Sequence, residues 1–252
     1  TIHNNLKYKK HSLLVKLIHK FSCKMADKIV CVSYGIMKSQ IEDFNISKNK
    51  VTTIYNICNV DNVLEKSKEE IDEKYKEIFE KNDIIMNVGR LENQKNQKLL
   101  IYSFSKIVKH KNNLYLVIIG SGSKKNKLEK YIKKLNLEEK VIIIDFDKNP
   151  YKYMKYANCL VLTSRYEGLP TVILEAICLK LPVISTNCDF GPLEILAKKY
   201  DYSKKSNKIE HEKYGIIVPD CKNKICIKEI CDAIIEILEN KRIQEKYVNV
   251  SS

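Results

Sequence analysis

Two carboxylates spaced eight residues apart give the strongest chemical signal in the sequence. Glu167 follows a short apolar run that ends at Thr163, and Glu175 lies beyond Pro170, a residue that favours the first turn of a helix. Because helical side chains lean toward the N-terminus of their helix, Glu175 can reach the pocket that Glu167 faces. Two carboxylates in one pocket can accept hydrogen bonds from the hydroxyl groups of a sugar or a ribose.

An anion site is predicted beside these acids. The first N–H groups of the helix, at Thr171 and Val172, have no partners within the helix and lie at the positive end of its dipole. Together with the turn at Gly168 they would bind a phosphate, and the whole segment would suit a nucleotide-sugar. The simpler alternative is an ordinary helix start with a solvated glutamate, which would be favoured if only one carboxylate were present.

A second group of charged residues follows the apolar run 83–88. Gly89 lets the backbone come close to a ligand, and Arg90 and Lys95 bring two cations to the carboxyl end of a strand, where open α/β sheets bind ligands. An Arg fork and a Lys point charge together suit a diphosphate. A surface turn in a lysine-rich protein would contain the same residues, so this motif alone leaves both interpretations open.

The segment Gly120-Ser-Gly122 follows another apolar run and predicts a Gly-x-Gly turn. A full dinucleotide fingerprint would need a third glycine where Lys125 stands. Close packing between a strand and a helix explains the two glycines equally well.

Alternating strand and helix patterns would position these motifs. Amphipathic stretches separate short, nearly continuous apolar runs, which are typical of strands buried on both faces. Repeated β-α units favour a doubly wound parallel sheet, so we predict an α/β, Rossmann-like fold. The predicted strands are Lys28–Val32, Val51–Tyr55, Asp83–Val88, Leu114–Gly120, Val141–Asp145, Cys159–Thr163, Pro182–Ser185 and Gly215–Val218.

The composition is that of a folded globular protein. The 252 residues are 44% hydrophobic and include only 7 Gly and 5 Pro, which excludes collagen-like, low-complexity and wholly disordered chains. No run of about 18 apolar residues is present. The sequence begins with Thr and lacks a cleavable leader pattern, so we expect an internal piece of a longer polypeptide.

Three segments are predicted along the chain. Residues 1–56 supply only two strands and two helices, and we interpret them as the remnant of one Rossmann-like domain. Residues 57–82 are highly charged and are predicted to form a linker followed by a surface helix or loop. Residues 83–252 supply about six strands with their helices, which make a complete Rossmann-like unit.

Metal and disulfide signals are weak. Nine cysteines, an odd number, favour reduced and buried thiols in a cytosolic compartment. Cys221, Cys226 and Cys231 are evenly spaced but have no His at ligand spacing. Asp145-Phe-Asp147 matches a tripeptide that binds divalent cations in other folds, but no further carboxylate or His cluster supports it. We therefore expect no metal and no cofactor.

In their order along the chain, these motifs resemble those of the retaining glycosyltransferases of family 4. The resemblance covers roughly residues 83–240, and it extends to Ala26–Val30, Ser33 and Ile54–Asn56. It implies the GT-B fold, in which two Rossmann-like domains face each other and the C-terminal one binds the donor. The motifs are Gly89-Arg-Leu91 with Lys95, Gly120-x-Gly122, the Glu-x7-Glu pair at 167 and 175, and Pro182-Val-Ile184.

By position, the resemblance implies a role for each candidate residue. Arg90 and Lys95 would neutralise the donor diphosphate as it leaves, Glu175 would bind the ribose hydroxyls, and Glu167 would bind the transferred sugar. Arg90, Lys95 and Glu167 are the catalytic candidates. No protein nucleophile is named, because the family is thought to react at the front face of the sugar. The backbone near Phe146 would meet the base. The other donor-binding candidates are Gly89, Gly168, Leu169, Pro170, Thr171 and Val172.

The implied reaction transfers a hexose or N-acetylhexosamine from a UDP-sugar to a hydroxyl of a saccharide or of a polyprenyl-linked saccharide, without a metal ion. The segment Gly191–Ile195 is similar to members that build polysaccharide or lipid-linked oligosaccharide. Because most of the acceptor domain is absent, the alternative is a non-catalytic fragment that binds a nucleotide-sugar.

Two positions depart from the family pattern. Asp145 stands where a Gly often follows the strand, and Lys180 stands where a Gly is usual two places before Pro182. Both departures bring the local loop geometry into question, and with it the recognition of the base.

Positive charge is concentrated at the start of the chain. Residues 1–60 hold ten Lys and three acidic residues, which gives half of the net charge of +14. One predicted helix there could lie on anionic lipid at the inner face of the cytoplasmic membrane, or it could cover a sheet with a lysine-rich outer face. Dispersed lysines and scarce arginines argue against nucleic acid, and a cytoplasmic location is expected. The apolar residues of this helix are Leu14, Leu17, Ile18, Phe21 and Met25.

Overall fold

Parallel sheets form the framework of the protein, whose computed structural model describes residues 1–2, 13–202, 207–220 and 226–249. The strands are β1 (Ile29–Cys31), β2 (Val51–Thr53), β3 (Asp83–Val88), β4 (Leu114–Ile119), β5 (Val141–Ile144), β6 (Cys159–Leu162), β7 (Val183–Thr186), β8 (Glu210–His211) and β9 (Ile216–Val218). β1 pairs with β2, and the others form one sheet in the order β5-β4-β3-β6-β7-β9-β8.

Within the described residues, every strand pairing of the large sheet is parallel except that of β8 with β9. The predicted doubly wound α/β fold is confirmed, and the bounds of β3 match the prediction residue for residue. The antiparallel edge strand β8 was not predicted, because a two-residue polar strand has no apolar periodicity to reveal it.

Helices connect the strands in chain order. They are α1 (Leu13–Met25), α2 (Tyr34–Glu42), α3 (Val60–Ser67), α4 (Glu73–Lys81), α5 (Gln97–Ile107), α6 (Lys125–Lys134), α7 (Tyr151–Met154), α8 (Thr171–Cys178), α9 (Pro192–Leu196), α10 (Cys226–Glu239) and α11 (Lys241–Asn249). Short 3-10 turns occupy Lys48–Lys50 and Val108–His110.

The helices cover both faces of the large sheet. On one face, α5, α6, α10 and α11 bury a core that includes Phe104, Ile132 and Ile234. On the other face, α4, α7, α8 and α9 bury a second core that includes Phe79, Tyr153 and Ile173. The β-strands between them are buried on both sides, which explains their continuous apolar runs.

The small sheet has a core of its own. Ile29 of β1 lies opposite Val51 of β2, and these strands pack with Ile36 of α2 in a separate cluster. Ser33 begins α2 by accepting a hydrogen bond from the N–H of Ile36 at 3.3 Å.

The charged segment 57–82 forms α3 and α4. Val63 and Phe79 are 2% and 3% exposed, so each helix buries an apolar side chain despite its polar composition. α3 packs against α7 and α8, and the amide of Asn149 donates to the carbonyl of Lys66 at 2.9 Å. The predicted domain boundaries at residues 56 and 83 stay a prediction.

The apolar side of α1 is exposed in the described part of the chain. The side chains of Leu14, Leu17, Ile18, Phe21 and Met25 are 55–71% exposed, and both interpretations of this helix stay predictions. Of the helices in the described part of the chain, none has both the length and the apolar content needed to span a bilayer.

Candidate functional site

The loop between β3 and α5 contains the two predicted cations. Lys95 extends from this loop toward the end of the neighbouring strand β6, and its Nζ lies 2.7 Å from Oε1 of Glu167. Asn96, the next residue, adopts a left-handed conformation with φ +53 and begins α5. The loop thus turns sharply just after Lys95, and Asn is one of the few residue types that tolerate this conformation.

Hydrogen bonds fix the carboxylate of Glu167 in place. Glu167 is only 5% exposed, and the amide of Gln94 donates to its Oε2 at 3.5 Å and to the carbonyl of Tyr166 at 3.0 Å. The N–H of Arg165 donates to the carbonyl of Gln94 at 2.8 Å, and the hydroxyl of Thr163 donates to the carbonyl of Lys95 at 3.2 Å. Several hydrogen bonds therefore connect the loop that follows β3 with the loop that follows β6.

α8 begins directly after Pro170, as the sequence predicts. No side chain at Pro170 caps the helix, so the first N–H groups, at Thr171 and Val172, remain open to an anion. The side chain of Val172 packs into the core beneath the helix. Only the backbone of Val172 is thus placed to meet a ligand.

Glu175 lies one turn into α8 and is half-buried. Burial raises the pKa of its carboxyl group, while hydrogen bonds with Tyr151 and Thr171 oppose the shift. The same burial, with the nearby charge of Glu175, raises the pKa of the Tyr151 hydroxyl to about 12. Tyr151 therefore stays protonated at neutral pH and can donate to Glu175.

A cavity of about 250 Å³ opens between these elements. Gly89, Arg90, Phe146, Tyr151 and Glu175 all line it. The ring of Phe146 is 67% exposed and is available for stacking against a planar group. Cations, a carboxylate and an aromatic face thus surround one space at the carboxyl ends of β3, β4 and β5.

The four charged residues of the predicted site form two neighbouring pairs. Arg90 and Glu175 line the cavity, whereas Lys95 and Glu167 bind each other beside it. The guanidinium of Arg90 is 63% exposed and forms an ion pair with Glu92 at 3.6 Å. Arg90 would have to leave Glu92 to contact a diphosphate, and its exposure leaves it free to do so.

Leu169 differs from its neighbours in the turn before α8. Its side chain is 8% exposed and belongs to the core of the small sheet. Gly168 and Pro170 instead approach Gly191, where an added Cβ would lie 2.8 Å from the Gly168 carbonyl and 2.7 Å from the Pro170 ring. The turn thereby contacts the small sheet on one side and the loop before α9 on the other.

The two glycines after β4 allow close packing of backbone. A Cβ at Gly120 would lie 2.1 Å from the carbonyl oxygen of Gly89, and one at Gly122 would lie 2.5 Å from that of Leu91. Gly120 also lines the cavity. The close contacts are therefore with the backbone of the loop after β3, and not between a strand and a helix as one interpretation of the sequence had it.

The two positions that depart from the family pattern differ in conformation and contacts. Lys180 adopts φ +57, the conformation for which Gly is favoured. Asp145 forms an ion pair with Lys125 at 2.5 Å. Lys180 thus adopts a backbone conformation that glycine would adopt with less strain.

A carboxylate from α9, a helix that packs on the large sheet, binds the first turn of α2, a helix that packs on the small sheet. Glu194 of α9 accepts hydrogen bonds from the N–H groups of Tyr34 and Gly35, at 2.8 and 3.3 Å, and another from the hydroxyl of Tyr202. The ring of Phe190 lies against Gly35 although Phe190 has φ +66, an unusual value for a bulky residue. α9 and the loop before it thus contact the first turn of α2.

Sequence analysis missed several residues of this arrangement. Gln94 stands beside Lys95 in the motif, and its burial could have been suspected because polar residues next to a buried charge often supply hydrogen bonds. Tyr151 follows Pro150 at a helix start, which offers only a weak signal. The partnership of Glu194 with α2 has no local signal, because about 160 residues separate the partners.

A family model described as glycosyl transferases group 1 matches residues 67–251. The chain belongs to this family. The group 1 match includes β3 through α10, so the loops that contain Lys95 and Glu167 both lie within it.

Relatives of this chain include proteins from archaea and bacteria. An uncharacterized glycosyltransferase of Methanocaldococcus jannaschii is 35% identical over 251 residues, which cover 95% of this chain and 62% of that protein. The N-acetylgalactosamine-N,N'-diacetylbacillosaminyl-diphospho-undecaprenol 4-alpha-N-acetylgalactosaminyltransferase of Campylobacter jejuni is 35% identical over 185 residues, which cover 73% of this chain and 48% of that protein. The match thus spans about half to three fifths of the length of these relatives.

Solved structures of other proteins share the fold of this chain. Anabaena HepE in complex with UDP and glucose superimposes with a TM-score of 0.79 at 17% identity, over 99% of this chain and 64% of HepE. This similarity confirms the predicted GT-B type of α/β fold.

Proposed function

We propose that this chain provides the nucleotide-sugar site of a glycosyltransferase that moves a hexose or N-acetylhexosamine from a UDP-sugar to a saccharide hydroxyl. The observation on which the proposal rests is the placement of the Arg90–Glu175 cavity directly beside the Lys95–Glu167 pair. The ribose hydroxyls of a UDP-sugar would bind Glu175, and the hydroxyls of the transferred sugar would bind Glu167.

The cavity is assigned to the nucleoside. Its 250 Å³ would hold the base against Phe146 and the ribose against Glu175, whose carboxylate accepts from the two ribose hydroxyls. The diphosphate would then extend past Gly89 toward the open N–H groups at the start of α8, a favourable place for negative charge.

Charge neutralisation is assigned to Arg90 and Lys95. As the bond from the sugar to the diphosphate breaks, negative charge grows on the departing phosphate, and the two cations would stabilise it once Arg90 has left Glu92. We propose that these two cations do this without a bound metal ion. Dialysis against a chelator should leave turnover of the intact enzyme unchanged, and restoration of lost activity by Mg²⁺ or Mn²⁺ would contradict this part.

The sugar itself is assigned to Glu167. Its carboxylate is buried and held by Lys95 and Gln94, so a sugar hydroxyl would find an acceptor of fixed orientation. No protein nucleophile is assigned, and we propose that the anomeric configuration is retained by reaction at the front face. Determination of the product anomer by NMR tests this point, since an inverted product would exclude it.

A saccharide linked to a polyprenyl carrier is the acceptor that we propose. Two observations support it: the name of the Campylobacter relative specifies such an acceptor, and the exposed apolar side of α1 is flanked by Lys20 and Lys24. A peripheral position at the inner face of the cytoplasmic membrane would bring α1 to anionic lipid. Co-sedimentation with vesicles of anionic and neutral lipid measures this contact, and Phe21→Glu should weaken it.

Calorimetry with UDP tests the donor site. Arg90→Ala should weaken UDP binding by at least about tenfold, because a charge-assisted contact contributes about 1.5–3 kcal/mol. Arg242→Ala on α11, an exposed position, is the matched control and should leave the affinity unchanged. Equal losses in both variants would show binding by general positive charge and would overturn the proposal.

Turnover of the full-length polypeptide separates an enzyme from a binding fragment. Glu167→Ala should lower kcat of the enzyme by about 100-fold or more, whereas UDP affinity changes little. If the full-length wild-type protein binds UDP but transfers no sugar from any UDP-sugar, the non-catalytic alternative is correct.

A further inference from the structure

A second cavity lies on the other side of the loop between β3 and α5. It has a volume of about 270 Å³ and is lined from α5, α6 and the loop after β6. The first cavity is lined by Tyr151 and Glu175 of α7 and α8, which cover the opposite face of the sheet. The loop of Arg90 therefore separates two distinct spaces.

Cations dominate the walls of the second cavity. They come from Lys98, Lys124, Lys127 and Arg165, against the single acid Glu92. Glu92 is already paired with Arg90. In the described part of the chain, no carboxylate lies within ion-pair distance of Lys124, Lys127 or Arg165. Four cations against one acid leave the cavity with excess positive charge, although Lys98 also lies over the ring of Tyr131 in the same wall.

The placement of these lysines opposes helix stability. Lys98 lies in the first turn of α5 and Lys127 in that of α6, and neither first turn contains an acidic residue. A cation at the positive end of a helix is unfavourable, and acids are the usual residues there. An anion in the cavity would remove this repulsion at both helices, and the amides of Asn93 and Asn96 in the same wall could donate to it.

The cavity shares its walls with the Lys95–Glu167 pair. Glu92, Asn93 and Asn96 belong to the loop of Lys95, and Arg165 precedes Glu167 by two residues. The N–H of Arg165 is bonded to the carbonyl of Gln94, whose amide holds Glu167. A ligand in the cavity would contact the same two loops as the transferred sugar, from the opposite side.

We propose that this cavity binds a phosphate group of the acceptor. The proposal deepens the proposed function and rests on it, because the donor nucleoside is assigned to the first cavity and the donor diphosphate to the start of α8. The name of the Campylobacter relative specifies an acceptor with a diphosphate between sugar and lipid. An Arg fork with three Lys point charges suits such a group.

Calorimetry with inorganic pyrophosphate tests binding at the cavity. The titration is done on the 252-residue chain in the presence of saturating UDP, so that the donor site is already filled. Lys124→Gln with Lys127→Gln should weaken pyrophosphate binding at least tenfold. Lys130→Gln with Lys134→Gln removes the same charge from exposed positions of the same helix and should change the affinity less than twofold.

Two outcomes overturn the cavity as an anion site: no pyrophosphate binding beside UDP, or equal losses in both double variants. Failure of UDP to bind is a separate result and counts against the proposed function. Pyrophosphate binding can still be titrated in the absence of UDP, so the two failures are distinguishable.

Acceptor kinetics of the full-length enzyme identify the source of the phosphate. The Lys124→Gln/Lys127→Gln variant should raise KM for a diphosphate-linked acceptor at least fivefold. KM for the same saccharide without phosphate, and KM for the donor, should stay unchanged. If pyrophosphate binding is lost but KM for the diphosphate-linked acceptor is unaffected, the ligand is a free phosphate and the assignment to the acceptor is wrong.

Discussion

Lys95 and Glu167 form an ion pair of 2.7 Å although 72 residues separate them in the chain. Their side chains are 16% and 6% exposed, so the pair lies almost entirely out of water. The partners follow β3 and β6, which are neighbours in the sheet. A buried pair of this kind contributes little net stability, but loss of one partner leaves an uncompensated charge.

Lys95→Ala should therefore destabilise the protein by about 3 kcal/mol. Urea unfolding measures the change, with Lys133→Ala, an exposed position of α6, as a control that should cost less than about 0.5 kcal/mol. Addition of Glu167→Ala to Lys95→Ala should cost less than the sum of the single changes, with a coupling of about 1–3 kcal/mol. Additive losses would mean that the two side chains do not interact in solution.

Glu175 should make stability depend on pH. Because burial raises its pKa above the ordinary 4.5, the folded protein binds more protons than the unfolded one between pH 4.5 and the raised pKa. The free energy of unfolding should fall as pH rises through this window. Thermal unfolding of the wild type and of Glu175→Gln at several pH values checks the sign: the wild type should lose more stability than the variant. Parallel curves would contradict the raised pKa.

Lys180→Gly should stabilise the protein by about 1 kcal/mol, because a non-glycine residue in the left-handed region is strained. Lys180 has φ +57, and its N–H bonds to the carbonyl of Ile177 while that of Leu181 bonds to Ala176, which is the Schellman ending of a helix. Lys130→Gly, at an exposed helical position of α6, is the control and should destabilise by about 1 kcal/mol. Chemical denaturation of both variants gives the comparison, and a loss of stability in both would show that position 180 is not left-handed.

Gly120→Ala should impair both stability and UDP binding. The new Cβ would lie 2.1 Å from the carbonyl oxygen of Gly89, so the loop of Arg90 must shift, at a cost of about 1–3 kcal/mol. Ser123→Ala changes an exposed side chain in the same turn and should have little effect. Thermal unfolding and UDP titration of the two variants measure the difference. Normal UDP affinity in Gly120→Ala would show that this contact does not position Arg90.

The strands and the start of α8 could be predicted because their signals are local. Continuous apolar runs located β3 to the residue, and Pro170 located the first turn of α8. Local signals also placed Lys95 and Glu167 at the ends of parallel strands, from which proximity follows.

Side-chain direction could not be predicted in the same way. Arg90 turns toward Glu92, and the side chain of Leu169 packs into the core of the small sheet and not into the site. Both side-chain directions depend on the tertiary neighbours of these residues, which the local sequence pattern does not indicate. The same holds for the exposed apolar side of α1, whose periodicity fits a covered helix equally well.

The capping of α2 by Glu194 limits how this protein could be recombined with its relatives. A chimera with its crossover between β2 and α3 would take α2 from one parent and the capping carboxylate from another. Unless the second parent has a carboxylate at the position of Glu194, the helix start would lose its hydrogen-bond acceptor. Unless the parent of α2 has a glycine at the position of Gly35, its side chain would clash with the ring of Phe190. Segments that look exchangeable in the linear order are thus matched to each other in pairs, and an engineered hybrid would have to transplant α2 together with α9 and the loop before it.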